Sequence, residues 1–166
     1  MKNLIFFFSA CCLLYSCKGE HIYLDKDKIP LLNNNDIVYF QDSANNNKID
    51  TFRIDIGEIW HYTTEEDYLQ YIQIYYNKLN RQTTFFSIYI SPSGGGSMFV
   101  VDNYYRLTNT KNNFTLQGVT YPVVYIGYCN SYDLSSDTIP NLVYYTYHNG
   151  IIRYEYKDGR VYELMK

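Results

Sequence analysis

The feature that most constrains the fold is the regular spacing of turn-forming residues from Ile37 to the end of the chain. β-Branched and aromatic runs alternate there with clusters of Asn, Gly, Asp and Ser, which recur about every 8–15 residues. Such spacing is typical of antiparallel strands joined by short turns. We therefore predict one mainly β domain over residues 37–166, built as an antiparallel meander sheet in the form of a sandwich or an incomplete barrel.

The segment 63–80 is the one place where the sequence allows a helix. Six side chains follow helical spacing, and Thr63 with Glu66 suits a capping box. The six are Tyr68, Tyr71, Ile72, Tyr75, Tyr76 and Leu79. Against a helix, residues 70–76 are rich in β formers and contain no alanine. We predict a strand here and keep the helix as the alternative. The domain therefore has at most one helix.

Residues 51–62 alternate like a strand with one buried face. Phe52, Ile54 and Ile56 share that face, but Glu58 interrupts it directly after Gly57. Because a glycine within a strand often marks an extra, unpaired residue, the pattern predicts a β-bulge at this point.

The last 25 residues contain two turn dipeptides, Asn149-Gly150 and Asp158-Gly159, between three short apolar runs. Both dipeptides suit a two-residue type I′ turn, in which both central residues have positive φ. A two-residue loop fixes the register and therefore the faces of the strands. The predicted core face comprises Val143, Tyr145, Tyr147, Ile152, Tyr154, Tyr156 and Val161. The predicted outer face comprises Tyr144, Thr146, His148, Arg153, Glu155, Lys157 and Tyr162.

The amino terminus predicts export and a lipid anchor. Lys2 precedes 11 apolar or small residues at positions 4–14, which suit a signal peptide and are too few to span a bilayer. The four residues LYSC at 14–17, which begin with the last leucine of this stretch, resemble a bacterial lipobox, in which cleavage precedes a cysteine that becomes lipidated. We predict a signal peptide over residues 1–16, a lipidated Cys17, and a polar tether over residues 17–36 with at most one short strand.

Two alternatives stay open at this terminus. Cleavage by the ordinary signal peptidase would release a secreted protein. Residues 8–11 form a second lipobox, but it leaves only residues 4–8 as the apolar region of the signal. If Cys17 is lipidated, Cys11 and Cys12 leave with the signal peptide and Cys129 alone remains. The mature chain then has no intramolecular disulfide, and Cys129 is predicted to be a buried structural thiol.

The carboxy-terminal half carries a resemblance to a known group of proteins. The stretches LQGVTYPVVY at 116–125, VYY at 143–145 and GIIRYEYKDG at 150–159 look like small uncharacterised lipoproteins of Bacteroides-like and Flavobacterium-like Gram-negative bacteria. The resemblance implies an outer-membrane lipoprotein with an antiparallel β domain, and it transfers no catalytic residue. Lys18 follows the cysteine where Asp would favour the inner membrane, so the resemblance implies an anchor in the outer membrane, facing the periplasm or the cell surface.

Charge and reactive residues argue against several function classes. The formal net charge of −3 argues against nucleic acid and against electrostatic binding to an anionic membrane. The histidines His21, His61 and His148 lack a second ligand at zinc spacing. We therefore expect no metal, no cofactor and no enzyme activity. A pair such as Glu58 with Asp133 would supply the two carboxylates of a glycosidase if the fold brought them together.

Tyrosine is the unusual residue of this composition, with 21 among 166 residues. We expect most of these rings to fill the core or to cover sheet faces. The rings that stand as candidates for stacking on a ligand are Trp60, Tyr62, Tyr104 and Tyr105. Ser43 and Thr138 each follow an Asp in a turn-like segment and resemble the O-glycosylation motif of Bacteroides-type exported proteins.

These observations predict a non-enzymatic, lipid-anchored envelope protein that presents a β domain for binding or for a structural role. It would contact the membrane through the lipid anchor only, and its partner would be a protein or a glycan. The alternatives are a module that carries a glycan or a lipid and, third, an envelope hydrolase.

Overall fold

The computed structural model describes residues 21–24, 26–28, 31–62, 68–79, 84–91, 96–100, 103–129 and 138–165. Its regular structure consists of eleven strands and a 3-10 turn at Lys26–Lys28. The strands are β1 (His21–Ile22), β2 (Ile37–Asp42), β3 (Ile49–Tyr62), β4 (Tyr68–Lys78), β5 (Thr84–Ile90), β6 (Gly96–Val100), β7 (Asn103–Leu116), β8 (Val119–Cys129), β9 (Leu142–Thr146), β10 (Gly150–Glu155) and β11 (Val161–Leu164). The mainly β fold is confirmed, and so is the strand predicted within 63–80. Among these residues, no helix is long and apolar enough to cross a membrane.

Ten of the strands form a continuous ring of hydrogen-bonded neighbours. From β2 to β11 each strand pairs antiparallel with the next one in the chain, and β11 pairs back with β2. The eleventh strand, β1, pairs in parallel with the start of β4. The predicted antiparallel meander is therefore confirmed, and neighbouring strands of the ring run in opposite directions.

This alternation gives the ring two ends, which we call upper and lower. The upper end holds the last residues of β3, the turn between β7 and β8, and the turn between β9 and β10. The lower end holds the turns between β2 and β3 and between β10 and β11.

The inner face of the ring is filled by large side chains. The largest fully buried ones are Tyr76, Tyr105, Tyr145, Tyr154, Tyr162, Phe40, Phe52, Phe86, Ile54, Ile74, Ile88 and Ile90. Within this core, Phe86 lies 5.7 Å from Phe52 and 5.3 Å from Tyr154, measured between ring centroids. Burying each of the phenylalanine and isoleucine side chains stabilises the fold by about 1.5–3 kcal/mol. Five of the twelve residues are tyrosines, so part of the tyrosine content fills the core.

The β-bulge predicted after Gly57 is wrong. β3 and β4 pair without a register shift from Phe52 opposite Lys78 to Tyr62 opposite Tyr68. Glu58 is exposed for a different reason: β4 pairs with β5 only as far as Ile72, so the strand pair extends past the ring at its upper end. We call residues 58–62 and 68–71 the β3–β4 arm.

The residues predicted as a tether are in large part packed on the domain. Leu24 is buried, and its amide donates a hydrogen bond of 2.8 Å to the Oε1 atom of Gln70. The amide of Leu31 donates to the carbonyl of His148 at 2.9 Å, across the upper end. The tether prediction is therefore wrong for 21–24 and 31–36, because strand edges and turn carbonyls of the ring supply partners for their backbone.

The turn between β9 and β10 has three residues, 147–149, where two were predicted. Thr146 pairs with Gly150. The φ angle is positive at Gly150 but not at Asn149, so the turn is not of type I′. The amide of Asn149 instead donates a hydrogen bond of 3.0 Å to the hydroxyl of Thr146.

A bulge between Ile151 and Arg153 then shifts the register again. The bulge restores the predicted alternation of faces, so Tyr154 faces the core as predicted, although its partner on β9 is Val143. The bulge also separates the two isoleucines. Ile151 belongs to the main core, whereas Ile152, predicted on that face, belongs to a second apolar cluster.

The turn between β10 and β11 also has three residues, 157–159, and it ends in Gly159 at φ 88°. No compensating shift follows, so Tyr154 pairs with Tyr162. Tyr162 is therefore buried in the core and stacks on Tyr154 at 5.0 Å with an interplanar angle of 8°. The prediction that Val161 faces the core and Tyr162 faces outward is wrong.

Candidate ligand pocket

The four aromatic candidates from the sequence do not form one site among the described residues. Trp60 lies on the β3–β4 arm and is 37% exposed. The side chains of Tyr62 and Tyr104 lie outside the described residues. Tyr105 is fully buried on the inner face of β7, and its hydroxyl donates a hydrogen bond to the carbonyl of Pro140. The prediction that Tyr105 stacks on a ligand is wrong, because its ring faces are already packed.

The modification candidates are placed only in part. Ser43 and Thr138 occupy exposed turn positions, where a glycan would have room. Cys17, Asp133 and the side chain of Cys129 lie outside the described residues. Lipidation, the hydrolase pair and the buried thiol therefore stay predictions.

A pocket at the upper end of the ring unites residues from three distant parts of the chain. Its volume is about 240 Å³. The 3-10 turn contributes Asp27, β8 contributes Tyr121, Pro122, Val123 and Tyr125, and the end of β9 with the following turn contributes Thr146, Tyr147, His148 and Asn149. The lining is largely apolar and aromatic, and polar groups stand on two sides of it.

Strand pairing explains why these side chains meet. Tyr125 lies opposite Tyr145 in the pairing of β8 with β9, so β8 runs beside the turn that begins at Tyr147. The rings of Tyr125 and Tyr147 lie 4.9 Å apart at an interplanar angle of 59°. The hydrogen bond from Leu31 to the carbonyl of His148 holds the amino-terminal segment against this turn.

The phenol groups of Tyr121 and Tyr147 in the pocket are neutral at physiological pH. Burial raises the pKa of Tyr147, and a hydrogen bond with Tyr125 raises it further. Burial also raises the pKa of Tyr121. These two hydroxyls therefore offer hydrogen bonds without charge, and Asp27 adds a carboxyl side chain to the lining.

The chemistry that this arrangement supports is binding. Aromatic faces pack against an apolar or ring-shaped ligand, and the hydroxyl, amide, imidazole and carboxylate groups provide hydrogen bonds. Within the parts of the chain that the structure describes, no group of three His, Cys, Asp or Glu side chains could hold a metal ion.

Sequence patterns missed the pocket. Asp27 belongs to Asp25-Lys26-Asp27, a charged run of the kind usually assigned to solvent. The sequence placed His148 on the outer face of a strand and Asn149 in a two-residue turn, so neither pointed to a pocket. The one signal near the site was the aromatic and β-branched content of residues 121–125, which fits a core strand equally well.

Comparison with known proteins adds no assignment to this geometry: no protein-family model, no curated protein and no solved structure matches the chain.

Proposed function

We propose that this chain is a lipid-anchored protein of the outer membrane, attached through Cys17, whose β domain binds a ligand without catalysis. The ligand site is the pocket between β8 and the turn of residues 147–149. The observation that carries the proposal is the lining of this pocket, in which Tyr121, Tyr125 and Tyr147 converge beside hydrogen-bonding groups.

The size and lining of the pocket support a ligand of one ring, such as a sugar of a glycan. A volume of about 240 Å³ is below the roughly 300–1,000 Å³ of sites for drug-sized molecules. Tyrosine presents an apolar face and a polar edge, which suits the apolar face and the hydroxyls of a sugar ring. His148 and Asp27 add hydrogen-bonding groups at the rim.

The interior of the ring is a poorer place for a ligand, and in particular for a lipid chain. Phe40, Phe52, Phe86 and Tyr154 fill it with rings whose centroids lie 5.2–5.7 Å apart. A carrier would need apolar space that these side chains already occupy. We therefore place the ligand in the pocket at the upper end.

Saturation-transfer difference NMR with a panel of monosaccharides and disaccharides tests the binding. We expect transfer to at least one sugar, and we expect Tyr147→Ala and His148→Ala each to abolish or weaken it. Tyr128→Ala is the matched control, because this tyrosine is 45% exposed on β8 and does not line the pocket. Equal transfer to the Tyr147→Ala protein, folded as judged by circular dichroism, would contradict the proposal.

The anchor has a separate test. Labelled palmitate should enter the wild-type protein in growing cells and should be absent from Cys17→Ser. Incorporation into Cys17→Ser at the wild-type level would overturn the anchor but leave the sugar-binding result unaffected.

A further inference from the structure

The β3–β4 arm carries an exposed pair of aromatic rings. Tyr23, just after β1, packs edge-on against Trp60, with ring centroids 5.4 Å apart and an interplanar angle of 89°. Tyr23 is 66% exposed and Trp60 is 37% exposed. Because the two rings contact each other on an arm that extends past the ring of strands, they form a small apolar patch, which is the kind of surface that marks an interaction site.

The first described residue after the predicted lipid is docked on the arm. Cys17 lies four residues before His21, and His21 pairs with Tyr68 on the arm. Four residues span at most about 14 Å even when fully extended. The docked strand β1 therefore keeps the lipidated residue within about 14 Å of His21, which lies beside the start of β4 on the arm.

Tryptophan and tyrosine are the side chains that concentrate at membrane–water interfaces, because their rings are apolar and their N–H and O–H groups are polar. Ile22 adds a third apolar side chain, 38% exposed. It pairs with Leu69, whereas Trp60 pairs with Gln70, so Ile22 and Trp60 lie on opposite faces of the arm. The arm thus presents apolar groups on both faces beside the anchor.

We propose that Tyr23 and Trp60 enter the headgroup region of the membrane that holds the anchor, and so orient the domain with its upper end toward the bilayer. This inference rests on the lipidation of Cys17 in the proposed function. The partner is a zwitterionic phospholipid surface, because the sequence between β3 and β4 contains Glu65, Glu66 and Asp67, which anionic lipid would repel.

The chain contains one tryptophan, so the fluorescence of Trp60 reports this contact directly. The lipidated full-length protein is purified from membranes and reconstituted into phosphatidylcholine vesicles whose acyl chains carry bromine just below the headgroups. We expect the emission of Trp60 to shift to shorter wavelength, to be quenched by the brominated lipid, and to be shielded from iodide in the water. Tyr23→Ala should reduce both the quenching and the shielding.

A tryptophan at the lower end is the matched control. Tyr128 lies near the end of β8, which runs opposite to β3, so the two positions are at opposite ends of the ring. In a Trp60→Phe, Tyr128→Trp protein the probe should be open to iodide and unaffected by bromine.

Two results would overturn the orientation, and they are distinguishable. A lipidated protein that floats with the vesicles, but whose Trp60 is open to iodide and unquenched by bromine, refutes the contact and leaves the anchor in place. A protein without lipid mass on its amino-terminal peptide, which does not float, refutes the anchor and the orientation together.

Discussion

The hydroxyl of Tyr154 donates a hydrogen bond of 2.8 Å to the Oδ2 atom of Asp50, which joins β10 to β3 near the lower end of the ring. The other carboxylate oxygen of Asp50 lies 2.7 Å from the ammonium group of Lys78. Lys78 in turn lies over the rings of Phe52 and Phe85, 5.8 Å and 5.3 Å from their centroids. The ion pair of Asp50 and Lys78 thus packs against aromatic rings at the edge of the core. The buried hydroxyl of Tyr154 finds its hydrogen-bond acceptor 104 residues away in the chain.

Hydroxyl deletion should separate the buried tyrosines into two groups. Tyr154→Phe removes a hydrogen bond to a charged group and should cost about 1.5–3 kcal/mol of unfolding free energy. Tyr105→Phe leaves the carbonyl of Pro140 without this donor and should cost about 1–3 kcal/mol. Urea denaturation followed by circular dichroism measures both.

Tyr145→Phe is the matched control. The hydroxyl of Tyr145 is buried and has no hydrogen-bond partner in the structure. Its removal should therefore be neutral, or should stabilise the fold by up to about 1 kcal/mol. A loss for Tyr145→Phe as large as that for Tyr154→Phe would contradict the assignment of partners.

Local patterns in the sequence were sufficient to predict the strands, because alternation and turn chemistry act over a few residues. They were insufficient to predict the register. At Gly150 a three-residue turn is selected by contacts that are remote in sequence, since the amide of the next residue, Ile151, donates to the hydroxyl of Tyr76 at 2.9 Å. The type I′ turn predicted at Asn149-Gly150 requires positive φ at two successive residues. Among the described turns, Gln117-Gly118 has this pattern.

The site was harder to predict than the fold. Asp27, Tyr121 and Tyr147 approach one another only because β8 pairs with β9 and the amino-terminal segment crosses the upper end. No spacing rule relates residues so far apart in the chain. Tyr105 shows the converse difficulty, because the alternation that marks a strand does not say which of its two faces is buried.

Gly150 should tolerate no side chain. Its φ is 69°, and a Cβ atom there would overlap the hydroxyl of Tyr76 and lie 2.8 Å from Cδ1 of Leu32. Backbone strain alone costs about 1–2 kcal/mol, and the overlap adds to it, so Gly150→Ala should lose at least about 3 kcal/mol. Gly118→Ala is the control, because φ is 76° but nothing lies within 4 Å. Equal losses for the two variants, measured by urea denaturation, would refute the role of the contacts.

A second apolar cluster holds the tip of the β7–β8 hairpin to the outer face of the ring. The ring of Phe114 stacks on that of Tyr144, with the two centroids 5.5 Å apart. The guanidinium group of Arg153 also lies over the ring of Tyr144, 5.4 Å from its centroid. Beside this stack, Val124 and Ile152 are fully buried. The stack thus covers apolar side chains that would otherwise face water.

Phe114→Ala should loosen this hairpin without unfolding the core. Because the ring is only partly buried, we expect a loss of about 1–3 kcal/mol, below the roughly 3–5 kcal/mol of a fully buried phenylalanine. Hydrogen exchange should accelerate over residues 114–121 and stay unchanged in β3 and β4. Val123→Ala, on the same hairpin but 41% exposed, should change stability by less than about 0.5 kcal/mol. Uniform acceleration across all strands would show that the cluster is part of the main core.

The buried phenols should make the fold sensitive to alkali. Burial raises the pKa of Tyr76, Tyr145 and Tyr154 well above the roughly 10 of a tyrosine in an unfolded chain. Below pH 10 both states keep these protons, so stability is independent of them. Above it the unfolded chain ionises and the native chain does not, so stability falls as pH rises.

Each such tyrosine should lower the unfolding free energy by about 1.4 kcal/mol per pH unit above pH 10. Urea denaturation between pH 8 and pH 11.5 should therefore show a plateau followed by a steep decline, and absorbance at 295 nm should reveal phenols that ionise only on unfolding. Tyr154→Phe removes one of these groups. Its unfolding free energy should be lower than that of the wild type below pH 10, but above pH 10 it should fall less steeply, by about 1.4 kcal/mol per pH unit. A wild-type stability that stays flat above pH 10, or a decline of equal slope in Tyr154→Phe, would show that these hydroxyls ionise in the native protein as they do in water.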